Sequence, residues 1–202
     1  MKKISAGTWI ENPVAGQRAL LVKLPAETGG RYFEMEYICQ PFTGKYAIPP
    51  HYHPAVTERF EIIKGKARYM LAKAEKTADS GETVLFPAGI EHIHPWSDSN
   101  DELHVRMFSE ADPPDLASLN ANINTGITNF GLARDGKVDK NGLPGILQQA
   151  VCGIKNIPGA VPAGMSPGTA KVVIGLLALV GSALGYRATY PQYGEVWSES
   201  TQ

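Results

Sequence analysis

The sequence predicts a mainly β fold, a barrel or sandwich of short antiparallel strands, followed by a mostly α-helical C-terminal extension. The first observation is turn content: 21 glycines and 15 prolines make up about 18% of the 202 residues, against an average near 12%. The second is a series of strand-length runs separated by turn signals, a spacing typical of sandwiches and barrels. The third is a change of pattern at Asp112-Pro113-Pro114-Asp115, after which apolar residues recur at helical spacing.

The strand-length runs all lie before residue 112. Turn signals separate them, among them Lys64-Gly65, Ala78-Asp79-Ser80-Gly81 and Pro87-Ala88-Gly89. We therefore expect the barrel to occupy residues 10–111. The predicted strands are Ala19–Leu24, Tyr32–Gln40, Thr57–Ile63, Lys66–Ala72, Glu82–Phe86 and Glu102–Phe108.

Residues 112–202 form the predicted extension, with three helical segments. The first, Leu116–Leu132, is expected to be interrupted, and the second, Leu143–Cys152, has Pro144 in its first turn. The third is a strongly apolar helix at 171–187.

The apolar helix needs a cover, because residues 172–186 contain no charge. These 15 residues are too few to cross a bilayer, which takes about 20. A stripe of small residues, including Gly181 and Gly185, suits close packing against another protein surface. We expect the barrel or a second subunit to cover the helix, and we expect the protein to be a homodimer. A peripheral membrane contact through 172–186 is the alternative.

Charge and cysteine content exclude several classes of protein. The net charge of −1 gives no reason to expect a nucleic-acid partner. Cys39 and Cys152 are too few to staple a chain of this size, so we expect free thiols in a reducing compartment. No apolar run follows the basic start Met1-Lys2-Lys3, which favours a cytoplasmic protein, or one that associates with a membrane through its tail.

All five histidines fall between positions 51 and 104. His51 and His53 are two residues apart, so they share one face of a strand, and His92 and His94 repeat this arrangement. Glu58 has the wrong parity for the same straight strand as His53, so we expect the chain to turn between them and Glu58 to begin a neighbouring strand. Glu58, Phe60 and Ile62 would then share one face of that strand. Three imidazoles and one carboxylate from separate strands are a donor set that can hold a metal ion and leave coordination positions open.

Two motifs resemble those of the cupins, in the same order and at a similar separation. The first cupin motif, G-x5-H-x-H-x3,4-E-x6-G, corresponds to Gly44, His51, His53, Glu58 and Gly65, with one extra residue in the first gap. The second, G-x5-P-x-G-x2-H-x3-N, corresponds to Gly81, Pro87, Gly89 and His92, with Trp96 in place of the asparagine. The chain thus resembles a cupin-2-type barrel protein with a C-terminal helical extension.

This resemblance implies a jelly-roll β-barrel with a metal ion inside it. The implied ligands are His51, His53, Glu58 and His92. The implied metal is Fe²⁺ or Mn²⁺, with Zn²⁺ or Ni²⁺ as alternatives. Such a site would leave two positions on an octahedral ion for a small organic molecule and dioxygen.

We therefore expect a mononuclear metal-dependent, dioxygenase-like enzyme acting on a small organic molecule, although the same fold also serves isomerases and proteins without catalytic activity. Glu58 is a candidate proton acceptor. His94 is either a proton shuttle or substrate donor in the cavity or a hydrogen-bonding residue at the rim, and His104 points either in or out. The alternative function is a non-catalytic metal- or small-molecule-binding protein, with or without a peripheral membrane contact through its C-terminal helix.

Overall fold

The computed structural model describes residues 2–41, 48–98, 100–156 and 159–196. Within these ranges a strand-rich first half precedes a mostly helical second half. The strands are β1 (Trp9–Asn12), β2 (Gln17–Lys23), β3 (Tyr32–Cys39), β4 (His51–Tyr52), β5 (Val56–Lys64), β6 (Lys66–Leu71), β7 (Ala74–Asp79), β8 (Thr83–Phe86), β9 (His92–Ser97), β10 (Leu103–Ala111) and β11 (Val161–Pro162). The helices are a short 3-10 helix (Pro25–Thr28), α1 (Leu116–Arg134), α2 (Ile146–Asn156) and α3 (Pro167–Ala183).

The strands form two sheets of antiparallel pairs, so the predicted fold class is confirmed. The larger sheet has the order β1-β2-β3-β10-β5-β8, and the smaller has the order β11-β4-β9-β6-β7. Chain neighbours β4 and β5 lie in different sheets, as do β5 and β6, which is how a jelly roll encloses a shared interior. The C-terminal extension contributes β11 to the smaller sheet.

Alternating side chains on the central strands of the larger sheet fill this interior. On β5, buried residues alternate with partly exposed ones, and Glu58, Phe60 and Ile62 share the buried face as predicted. Phe60 and Phe86 lie fully buried with ring centroids 4.7 Å apart, and Phe33 is also buried. The core continues under α1 through Leu119, Ile123 and Ile127.

A glycine turn joins the two sheets at the end of β5. Gly65 has φ +88°, a conformation that a side chain disfavours. A Cβ at this position would also lie 2.7 Å from the carbonyl oxygen of Glu102. The turn therefore requires glycine for both conformation and space.

β7 is not among the predicted strands, because residues 78–81 have the composition of a turn. Five of its six side chains are exposed, and only Ala78 is buried. As an edge strand it needs no alternating apolar pattern, and its charged residues protect the open edge.

The first two helices also differ from their predicted boundaries. α1 runs without interruption from Leu116 to Arg134. Gly131 lies within this helix where a Cβ would overlap the ring of Tyr193, so packing explains this glycine. α2 begins at Ile146, and Pro144 precedes the helix instead of lying in its first turn.

The predicted apolar helix at 171–187 is shifted: α3 spans Pro167–Ala183. The Ser166 hydroxyl caps its start by accepting a hydrogen bond from the backbone N–H of Thr169, and Pro167 occupies the first turn. Its end is followed by Gly185 at φ +89°, a left-handed terminating residue. The prediction followed the uncharged run and overlooked these cap signals.

α3 has two unlike faces. The small-residue face packs on α2, where a Cβ on Gly181 would come within 2.9 Å of the Leu147 carbonyl oxygen, and Ile174 and Leu177 also pack there. The opposite face exposes large apolar side chains. They are Val172, Val173, Leu176, Leu179, Val180 and Leu184, each 39–70% exposed.

None of the helices in the described ranges combines the length and apolar character needed to cross a bilayer.

Candidate metal centre

The two sheets bring five titratable side chains to one point in the barrel. His51 lies on β4 and His92 and His94 lie on β9, both strands of the smaller sheet, and His53 directly follows β4. Glu58 reaches them from β5 in the larger sheet. β4 and β9 pair with His51 opposite His92, which aligns the two His-x-His segments. The strand break between His53 and Glu58, expected from parity, places the carboxylate across from the imidazoles.

One candidate ligand atom from each of these five residues lies within 4.8 Å of all the others. The carboxylate oxygens of Glu58 lie 3.3 Å from Nε2 of His53, 3.1 Å from Nε2 of His92 and 2.9 Å from Nε2 of His94. Ligands at about 2.1 Å from one ion hold adjacent donor atoms about 3 Å apart. The separations therefore suit a single shared ion.

Backbone carbonyl groups fix the orientation of three of the imidazoles. Nδ1 of His51 lies 2.9 Å from the carbonyl oxygen of Pro49, and Nδ1 of His92 lies 2.8 Å from that of Ile90. Nδ1 of His53 is bonded to the carbonyl oxygen of Gly159. A carbonyl only accepts, so each Nδ1 is the protonated nitrogen and each neutral ring keeps its lone pair on Nε2. This outer hydrogen bond is typical of metal-ligating histidines.

Three buried atoms of the cluster lack a hydrogen-bond partner within the described ranges: Nε2 of His53, Nε2 of His92 and Oε1 of Glu58. A buried polar atom without a partner costs about 1–3 kcal/mol. A cation at their meeting point would satisfy all three at once. The donor set thus fits a divalent metal.

His94 and His104, whose orientations the sequence left open, lie in different places. His94 donates from Nε2 to Oε2 of Glu58 and belongs to the cluster. His104 lies on the other face of β10, where its Nε2 is 3.2 Å from Oε2 of Glu36, so it does not reach the cluster. His94 is two residues from His92 and therefore shares its face of the strand, which was the signal for His94. His104 alternates with the buried Leu103 and Val105 and therefore lies on the opposite face, which was the signal for His104.

Sequence reasoning missed the Gly159 carbonyl, which lies far outside both motifs. A backbone carbonyl carries no side-chain signature, and residue 159 belongs to the extension. Only the pairing of β11 with β4 explains how it reaches His53.

The carboxylate and the imidazoles shift each other's proton affinities. Burial would raise the pKa of Glu58, but the imidazoles of His94 and His53 hold it well below its usual range. Burial would lower the pKa of His53, but Glu58 and the Gly159 carbonyl raise it. Burial holds the pKa of His51 well below its ordinary value, with His94 contributing. Burial also lowers the pKa of His94, and Glu58 only partly offsets this. Glu58 is therefore the anion of a mostly neutral imidazole cluster.

Metal retention is expected to weaken as the pH falls, over a range set by the pKa of the imidazole ligands. Because the pKa of His53 is raised, protons begin to compete with a metal for its Nε2 at a pH above the free imidazole pKa of about 6.5. Glu58 stays ionised over the same range because its pKa is lowered. Metal occupancy, measured by dialysis at fixed free metal, should fall as the pH drops below about 7 and be largely lost near pH 5. Occupancy that is flat from about pH 8 to 5 would contradict the His-rich site.

Comparison with known proteins finds one family match, within the barrel. A family model described as "Cupin domain" matches residues 42–108. No curated protein matches the chain.

Partial matches to solved structures include three proteins with different names. A predicted oxalate decarboxylase from Thermotoga maritima is 11% identical, covers 47% of this chain and 80% of its own, and has a TM-score of 0.43. A sugar phosphate isomerase of the cupin superfamily from Silicibacter pomeroyi is 16% identical over 54% of this chain and 75% of its own, with a TM-score of 0.43. The polyketide cyclase RemF from Streptomyces resistomycificus is 13% identical over 55% and 79%, with a TM-score of 0.41.

The fold, the two motifs and the family match agree on one assignment. The motif residues from His51 to His92 all fall inside the matched range. Residues 42–108 of the barrel match a cupin domain, and a helical extension follows the barrel.

Proposed function

We propose that this protein is a mononuclear metal-dependent enzyme that carries out a dioxygenase-like oxidation of a small organic molecule. The observation that supports it is the convergence of three imidazole Nε2 atoms of fixed tautomer and one carboxylate on a single point. The proposed ligands are His51, His53, Glu58 and His92.

Fe²⁺ or Mn²⁺ is the proposed metal, because the nitrogen and oxygen donors suit either ion and the proposed oxidation needs a metal with redox chemistry, which Zn²⁺ lacks. The two thiols are not part of the cluster: Cys39 and Cys152 are free and buried elsewhere. Burial raises the pKa of Cys39 to about 12 and that of Cys152 to about 11, so neither supplies a thiolate near neutral pH. Zn²⁺ or Ni²⁺ would fit the same donors. Free thiols also support a reducing compartment, and we propose the cytoplasm.

The side chains of the cluster and its walls would have different roles in the reaction. A bound ion would supply Lewis acidity and a path for electrons. Glu58 has Oε2 engaged by His94 and Oε1 without a hydrogen bond, so it can ligate through Oε1 while His94 orients it. His94 holds a proton at Nε2 and can pass it to Glu58 or to a substrate atom. Phe60 and Phe86 lie against the His94 ring at centroid distances of 5.0 and 6.4 Å and exclude water from that side.

A non-catalytic binding protein is the competing function. An apolar pocket without a second acid or base would favour it, and the walls formed by Phe60 and Phe86 are apolar. His94 argues for the enzyme, because it adds a proton donor beside Glu58.

Oxygen uptake by metal-loaded protein separates the two functions. Full-length protein purified without chelators and loaded with Fe²⁺ or Mn²⁺ is screened against small organic acids, phenols and sugars in an oxygen electrode. We expect uptake with one class, and His94→Gln should reduce kcat by about 100-fold or more while the metal is retained. His104→Gln, outside the cluster, is the matched control. Tight binding of a small molecule to metal-loaded protein without oxygen uptake would instead support the binding protein.

We also propose that a second copy of this chain covers the exposed face of α3. A soluble monomer rarely exposes a contiguous apolar patch beyond a few hundred Å², and six large apolar side chains line this face. An interface of ordinary size needs about 800 Å² from each partner, so this face would contribute much of it.

Charge placement favours an antiparallel, two-fold pairing of α3 with its copy. Lys171 is the charged residue of α3 and lies in its first half, in a helix about 25 Å long. Antiparallel pairing separates the two Lys171 side chains and directs each toward the C-terminal, negative end of the partner helix. A lipid surface is the other cover that the test must distinguish.

A further inference from the structure

A short segment of the extension contacts the strands that carry the proposed metal ligands. We call residues 159–165 the strap; it lies between α2 and α3. Its strand β11 pairs antiparallel with β4, with Val161 opposite Tyr52 and Pro162 opposite His51. The strap thus forms the outer strand of the smaller sheet, directly beside the first His-x-His segment.

The most direct contact is between the strap and a proposed ligand. Nδ1 of His53 donates to the carbonyl oxygen of Gly159. This bond sets the tautomer of His53 and turns its Nε2 toward Glu58. His53 is 2% exposed, so water has little access to its ring and cannot easily take the place of the Gly159 carbonyl.

Three further hydrogen bonds hold the strap to residues next to the ligands. The backbone N–H of Ala163 donates to the carbonyl oxygen of Pro50 at 3.1 Å. The Tyr52 hydroxyl donates to the Met165 carbonyl oxygen at 2.9 Å, and the N–H of Gly164 donates to Oε1 of Glu91 at 2.7 Å. Val161 anchors the segment with a fully buried side chain. The bonded residues of the barrel are thus sequence neighbours of His51, His53 and His92.

We propose that the strap is a working part of the metal centre: it positions His53 for the metal, and metal binding in turn stabilises the docked strap. Coupling between two binding events is reciprocal, so each must strengthen the other by the same factor. The metal centre would then extend beyond the cupin domain match, which ends at residue 108. The inference rests on the proposed metal site.

Two variants weaken the strap without altering a ligand. In Gly159→Ala, the new Cβ would lie 2.7 Å from the backbone carbonyl oxygen of Asn156, so the backbone must shift here, and we expect this shift to weaken the bond from His53 to the Gly159 carbonyl. Tyr52→Phe removes one strap hydrogen bond and keeps the ring. Gly145→Ala is the matched control, because it is also a glycine of the extension and nothing lies within 4 Å of its added Cβ.

Metal affinity is measured on full-length proteins stripped of metal and titrated with Co²⁺ alone. Gly159→Ala should weaken binding by about 10-fold or more, the usual cost of losing an outer-shell partner. Tyr52→Phe should weaken it by about fivefold, equivalent to one hydrogen bond. Gly145→Ala should stay within about twofold of the wild type.

Hydrogen exchange tests the reciprocal effect, and it also covers the case in which Gly159→Ala fails to fold. In the wild type, Co²⁺ should slow exchange of the backbone N–H groups of Ala163 and Gly164, and Tyr52→Phe should reduce this protection. Wild-type protein that binds Co²⁺ with unchanged strap exchange, together with unchanged affinity in Tyr52→Phe, would overturn the strap proposal alone. Wild-type protein that binds no Co²⁺ would overturn the proposed function as well.

Discussion

Replacing both His51 and His53 with Ala is expected to abolish metal retention while leaving the barrel folded. Two of four proposed ligands are lost, and Glu58 is left with fewer neutralising neighbours. The apparent affinity should fall by more than about 100-fold, since even outer-shell partners of a metal ligand are worth 10–100-fold. Metal content per chain after desalting, measured by plasma emission, is the direct readout, and far-UV circular dichroism checks the fold.

His104→Ala is the matched control for this double variant. It also removes a partly buried histidine from the barrel, but from the face where it pairs with Glu36. Its metal content should equal that of the wild type. Undiminished metal stoichiometry in the folded double variant would refute the ligand assignment.

Charged substitutions on the exposed face of α3 should change the mass of the protein in solution. Leu176 and Leu179 are 64% and 70% exposed, so Leu176→Glu with Leu179→Glu would place like charges in the proposed two-fold contact. We expect the wild type to be a dimer and this variant to be a monomer or an aggregate, as measured by light scattering after size exclusion. Val180, at 51% exposed, is also a suitable position for a charge, whereas Leu177 is not, because it packs against α2.

Leu85→Glu controls for the general effect of a new surface charge, since Leu85 is 50% exposed on β8 of the barrel. It should leave the dimer intact. A wild-type protein that is monomeric and floats with phosphatidylcholine and phosphatidylserine vesicles, with flotation lost in the double variant, would show that lipid covers α3.

The part of the molecule that sequence predicts best is the part where one physical rule dominates. Alternation on β5 correctly placed Glu58 on the buried face with Phe60 and Ile62, because a half-buried strand has period two. The fold class followed from turn density and strand spacing, which local residue preferences determine. The motifs also nominated the four residues that the structure brings together with His94.

The features that sequence missed depend on contacts between distant segments. β7 is an edge strand without an apolar face, so its pattern is indistinguishable from a loop. The partner of His53 is the backbone carbonyl of Gly159, whose position depends on how the extension folds back onto β4. Likewise, Leu177 and Leu176 are identical in type, and only the docking of α3 on α2 determines which one is exposed.

Titration of chelator-stripped, full-length protein with a single divalent metal tests the metal centre most directly. Calorimetry with Mn²⁺, and with Fe²⁺ under anaerobic conditions, should show one saturable site per chain at neutral pH, with protons released as the imidazoles are ligated. The absence of saturable binding by a folded protein, for these ions and for Zn²⁺ and Ni²⁺, would contradict the assignment of the His51, His53, Glu58 and His92 cluster as a metal site.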